Sequence, residues 1–147
     1  MITAKDVIDS SGKFPERAAF ASDEVRANAA ITAAAYTRLE TSFGRRIVLS
    51  SGFRPQHVNA QTDGAATNSL HMKGQAGDAV DQDRELAIFC LSDLKLLEHF
   101  GLYLEDPRYS RRRHPDTKEW MFWVHLQIVP PKSGKRVFIP HNGPIPR

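Results

Sequence analysis

From Trp120 to Ile128 the chain alternates without a break: Trp120, Phe122, Val124, Leu126 and Ile128 fall on one side, Met121, Trp123, His125 and Gln127 on the other. A period of two sustained over this length belongs to a strand with two distinct faces, so the fold must hold a sheet with a core behind it. His125 lies opposite the apolar set. A lone histidine on a strand is more often a satisfied core residue than a ligand, and only matching partners elsewhere change that reading.

Such partners occur in Ser69-Leu70-His71-Met72-Lys73-Gly74-Gln75-Ala76-Gly77-Asp78. His71 and Asp78 are separated by a segment with two glycines, and Gly74 and Gly77 are expected to take backbone angles closed to other residues and to leave room for a metal. Taken alone, the pair reads equally well as a loop histidine and a turn or cap aspartate. Joined by His125, it becomes an N2O set, the kind that holds a catalytic zinc and leaves a fourth position for water. The chain has one cysteine, Cys90, so a cysteine-rich structural site is excluded. Asp81 is set aside as a ligand, because alternation puts it on the opposite strand face from Asp78.

The rest of the chain reads as an α+β fold: a mainly antiparallel sheet carrying the zinc site, packed by two or three helices. Ser22 can cap a helix over residues 23–43, with Val25, Ala29, Thr32, Tyr36, Leu39 and Phe43 as one core stripe and Gly44 as the stop. A second helical stretch follows Asp83, with Leu86, Phe89, Cys90, Leu94 and Leu97 inward and a possible split at Ser92. Strands are expected at 46–50, 77–81, 101–105, 120–128 and 136–139, and residues 56–68 as a loop over the site. Arg54 follows the first strand, in Ser51-Gly52-Phe53-Arg54-Pro55. Its guanidinium suits a carboxylate-bearing substrate, although a surface arginine is the commoner case.

One domain over residues 1–147 is expected, since 41% hydrophobic and 25% charged residues are ordinary for a globular chain of this length. No stretch has the length of a membrane span, and Met1–Asp9 lacks the apolar run of a secretory signal, so cytoplasmic synthesis without a signal peptide is expected. Charge is uneven: residues 1–107 carry 11 Lys/Arg against 15 Asp/Glu, residues 108–147 carry 9 against 2. The basic end, with Arg111-Arg112-Arg113-His114, suits an anionic partner, though a short charged loop is usually just solvated. No nucleic-acid motif accompanies it, and a nucleic-acid partner is not expected.

The strings SGFRP, SLHMKGQAGDAVD and WVHLQ, in this order, resemble the superfamily of zinc D-alanyl-D-alanine carboxypeptidases, phage peptidoglycan endopeptidases and the Hedgehog domain. The likeness runs from about Ser22 to Pro140 and looks nearest to small phage and prophage D,D-peptidases. It implies a zinc peptidase acting on peptidoglycan peptides, an endolysin-type enzyme that reaches the cell wall after holin release or as part of a virion. It also implies His71, Asp78 and His125 as metal ligands, with Arg54 and Ser69 on the substrate side. Many members carry an acidic general base three residues before the last histidine, and here that position is Phe122. Glu105 is the preferred replacement, from a strand expected to pair with that of His125, where facing side chains are about 4.5–5.5 Å apart. Glu119 is the rival, but six extended residues span roughly 20 Å, so it needs a sharp bend before His125. The missing acid also leaves room for two other readings: a non-catalytic, metal-stabilised binding module, and a structural virion component.

Overall fold

The computed structural model describes residues 1–140 and 143–147. Its α-helices are α1 (Ala4–Asp9), α2 (Asp23–Phe43), α3 (Gln56–Ala60), α4 (Glu85–Ser92) and α5 (Leu94–Phe100), with 3-10 turns at Pro15–Phe20 and Leu70–Lys73. The strands are β1 (Leu49–Ser51), β2 (Ala76–Val80), β3 (Tyr103–Glu105), β4 (Arg111–Arg113), β5 (Trp120–Gln127) and β6 (Val137–Phe138). They form one sheet in the order β1-β2-β5-β3-β6, with β4 pairing the first half of β5. Every pairing is antiparallel except β3 with β6. The fold is α+β, as the pattern of the sequence implies.

The alternation of β5 decides where the site lies. Val124 and Leu126 are fully buried and join Leu49, Ala79 and Leu104 in the core beneath α2, α4 and α5. Side chains of the other parity, Asp78 on β2 and His125 and Gln127 on β5, point to the opposite face.

Helix α2 begins at Ser22, whose hydroxyl accepts from the Val25 N–H, and stops at Gly44 in the left-handed conformation. Its stripe is core, with Ala29, Thr32, Tyr36 and Leu39 buried. The same side of the helix also carries polar anchors one turn apart. Asn28 donates to the Lys73 carbonyl (3.0 Å), Thr32 to that of Gly74 (2.7 Å) and Tyr36 to that of Gly77 (2.6 Å). These bonds satisfy the carbonyls of two buried residues, Gly74 and Gly77, and of exposed Lys73, and pin the segment between His71 and Asp78 to the most regular element of the fold.

Several boundaries differ from expectation. The stretch 56–68 begins with α3 instead of being loop throughout, since Pro55 pre-sets the entry to a helix too short to show a period. The first strand is shorter and later than 46–50, so Arg54 stands three residues past its end. The second helical stretch divides at Asp93, whose carboxylate accepts from the Leu96 N–H, whereas Ser92 closes α4. Leu94, in the first turn after that break, is exposed and not inward. The arginine run forms strand β4, because Arg111 and Arg113 stack on Trp120 at 4.4 and 4.0 Å to the ring centre. Arg84 similarly covers Phe122 at 4.3 Å.

Candidate metal centre

The cross-strand register assembles the site. Asp78 on β2 pairs with His125 on β5, and Ser51 on β1 pairs with Asp78 after a register irregularity in β1. Pairing of Leu104 with Leu126, carried on by one residue, sets Glu105 on the other side of His125. One row across the sheet therefore reads Ser51, Asp78, His125, Glu105.

His71 reaches this row from the 3-10 turn before β2. Ser69 caps that turn, accepting from the His71 N–H at 3.2 Å, and Gly74 closes it in the left-handed conformation. Gly74 lies so close to α2 that a Cβ would stand 2.9 Å from the Val25 carbonyl oxygen. Gly77 is extended within β2, so it supplies space and not an unusual angle: a Cβ there would meet the Tyr36 hydroxyl at 3.1 Å.

The ligand atoms converge on one point. Asp78 Oδ1 lies 3.4 Å from His71 Nε2 and 2.9 Å from His125 Nδ1, and one ligand atom from each of the three residues lies within 4.8 Å of the others. Tetrahedral ligands with bonds of about 2.0–2.1 Å sit roughly 3.4 Å apart, so this set can close on a small cation with little movement. The imidazoles are steered differently. His71 Nδ1 meets the Gly52 carbonyl at 2.7 Å, a backbone acceptor that leaves Nε2 for the centre. His125 Nε2 meets Gln127 Oε1 at 2.9 Å, which leaves Nδ1.

Electrostatics agree with a cation site. Burial lowers the His71 imidazole and keeps it neutral against the pull of Asp78. Burial would raise the Asp78 carboxyl, but the charges and hydrogen bonds of the two histidines outweigh it and hold the group far below the usual carboxylate range. His125 feels burial in the lowering sense, yet Asp78, with smaller help from Glu105 and Gln127, pushes it up to about 9. A proton shared by His125 and Asp78 thus supplies the positive charge that this buried cluster requires.

The other expected residues divide into two groups. Arg54, Ser69 and Glu105 are brought to the centre. Arg54 donates from its backbone to the His71 carbonyl (3.0 Å) and from Nη2 to Ser69 Oγ (3.1 Å). Its buried Nε has no partner and no carboxylate pairs with it among the described residues, so it keeps donors for an incoming anion. Glu105 is half-buried and accepts from Ser110 Oγ at 2.5 Å. Glu119 is exposed in the turn before β5, and β5 is continuous from Trp120 to Gln127, so the required bend is absent. Phe122, three residues before His125, points to the opposite face, where Arg84 covers it. Asp81 is buried and accepts from the Leu86 and Ala87 N–H groups at 2.9 Å each, capping α4 away from the cluster.

Two supporting groups were not anticipated. Gly52 sits at the end of α1, where its N–H donates to Ser10 Oγ (3.0 Å) and the next N–H, of Phe53, to the Val7 carbonyl (2.7 Å). Arg17 adds a bond to the Phe53 carbonyl at 3.0 Å. The string Ser-Gly-Phe-Arg therefore matters for where it places the Gly52 carbonyl as well as for Arg54. The second group is Gln127, buried on β5 and visible in the sequence only as one more residue on the face of His125.

The chain matches the family Peptidase M15 over residues 10–103. It belongs to that family. The matched segment includes Arg54, Ser69, His71 and Asp78, while Glu105 and His125 lie beyond it and join the site through the register of β3 and β5 with β2. Curated proteins yield no match to the chain. Membership of this family and the His71–Asp78–His125 cluster together support a metallopeptidase. No described helix is long and apolar enough to cross a membrane.

Proposed function

We propose that this M15 protein is a zinc-dependent peptidase that cleaves stem peptides or crosslinks of peptidoglycan, as a D,D-carboxypeptidase or endopeptidase. The observation that carries the reading is the single row of Asp78, His125 and Glu105 across three strands, with His71 and Arg54 brought to it by one turn. The donor set, two nitrogens and one oxygen without thiolate, fits catalytic zinc. Zinc bound there would supply a Lewis acid for a scissile carbonyl and an activated water.

The side chains do the remaining work. Glu105 accepts the proton of the attacking water and later returns it to the leaving amine. The bond from Ser110 holds one of its oxygens and so fixes the carboxylate relative to His125. Arg54, backed by Ser69, takes a carboxylate of the substrate and sets the register of the peptide across the row. We place the protein with phage-type wall-lytic enzymes, delivered to the cell wall after holin release or in a virion.

One observation favours a non-catalytic binding module as the second reading: the acid expected three residues before His125 is absent, and Phe122 faces away from the site. Incubation of zinc-loaded protein with purified murein, followed by mass spectrometry of the released peptides, separates the two. New termini that disappear with Glu105→Gln support the enzyme. Intact murein across all fractions, from a protein that holds zinc, leaves the binding module.

A further inference from the structure

The two histidines of the cluster are oriented by unequal means. His71 leans on the backbone carbonyl of Gly52. His125 leans on Gln127, a side chain buried between β2 and β3, where it pairs with Ala76 and Tyr103. The orientation of that amide is not free. Gln127 Nε2 donates to the Val129 carbonyl at 2.8 Å, so the end turned toward His125 is the oxygen. An amide oxygen only accepts, so the hydrogen at the 2.9 Å contact belongs to His125 Nε2. With Nε2 committed to that bond, the nitrogen open to a metal is Nδ1, which lies on the side of His71 Nε2 and shares its proton with Asp78 Oδ1 at 2.9 Å until a metal takes that proton's place.

We infer that Gln127 is a positioning residue for the metal centre: the relay from the Val129 carbonyl through the Gln127 amide to His125 Nε2 selects the tautomer that offers Nδ1 to the metal. This rests on the reading of His71, Asp78 and His125 as metal ligands and adds which nitrogen is used and what dictates it. Without Gln127, neutral His125 can move its hydrogen to Nδ1, where it bonds Asp78 and blocks two ligands at once. Partners of this kind change metal affinity by roughly 10–100-fold.

The test is zinc affinity, by competition with a chromophoric chelator, for the parent, Gln127→Leu and Gln127→Glu, together with long-range ¹⁵N–¹H spectra of the zinc-loaded parent. Gln127→Leu, folded by circular dichroism, is expected to bind zinc about 10–100-fold more weakly. Gln127→Glu keeps an acceptor oxygen toward His125, though not the donor to the Val129 carbonyl, and is expected to recover most of the affinity that Gln127→Leu loses. In the zinc-loaded parent, His125 is expected to carry its hydrogen on Nε2. Undiminished affinity in folded Gln127→Leu, or hydrogen on His125 Nδ1 in the parent, would overturn the inference while leaving the zinc site standing. Should Gln127→Leu fail to fold, the tautomer of the parent decides alone. A parent that binds no zinc overturns both this inference and the proposed function.

Discussion

Gly52→Ala tests the idea that the end of α1 and the metal centre are one mechanical unit. A Cβ on residue 52 would stand 2.0 Å from the Val7 carbonyl oxygen and 2.8 Å from its carbon, distances real Cβ atoms do not show below 3.0 Å. The backbone must therefore open by at least 1.0 Å. That movement takes the Phe53 N–H to Val7 carbonyl bond, now 2.7 Å, out of hydrogen-bonding range and drags the Gly52 carbonyl relative to His71. Overpacking costs ~1–3 kcal/mol and a lost buried hydrogen bond ~0.5–1.5 kcal/mol, so the variant should lose about 1.5–4.5 kcal/mol. Against a typical total of ~5–15 kcal/mol this is a large fraction, easily read as a lower midpoint in urea at unchanged slope. Zinc affinity of the folded fraction should fall as well, because His71 Nδ1 loses its acceptor. An unchanged midpoint would refute the packing argument, and parental zinc affinity in a destabilised variant would refute the link from Gly52 to His71.

The remaining expectations concern the site and its support. Glu105→Gln should keep zinc bound and lose ~10²–10⁴-fold in murein cleavage, while Glu119→Gln should cleave at close to the parental rate; the reverse pattern would move the general base to the β4–β5 turn. Arg54→Lys should impair turnover while leaving the urea midpoint nearly unchanged, because a point charge cannot replace the planar fork; parental cleavage would make Arg54 an ordinary arginine. Tyr36→Phe removes the donor to the Gly77 carbonyl and should cost ~0.5–1.5 kcal/mol in urea unfolding, with an unchanged midpoint as the refuting result.

What could be read from the chain alone, and what could not, follows from how far each signal reaches. Helix α2 carries its cap, stripe and stop within itself, and β5 carries its faces, so both were legible to within a residue. His71, Asp78 and His125 were legible because ligand chemistry restricts residue types so strongly, and the strand register then brings them together. Helix α1 was missed although Thr3 and Asp6 form a capping box, because six residues are too few for a period. Strand β4 was illegible for a different reason: three consecutive arginines have no strand signature, and the pairing with β5 and the Trp120 ring make the strand. The same limit hid the tasks of Gly52, Gln127 and the α2 hydroxyls. Each acts on a partner distant in sequence or on a backbone carbonyl, and no residue pattern announces a carbonyl acceptor.

The central claim is a three-ligand metal centre built by the β2–β5 register, and a zinc-edge anomalous difference map from crystals of the zinc-loaded protein addresses it directly. One peak is expected, at about 2.0–2.2 Å from each of His71 Nε2, Asp78 Oδ1 and His125 Nδ1. No peak at that position after zinc loading, or a peak held by other residues such as Asp81, would contradict the account.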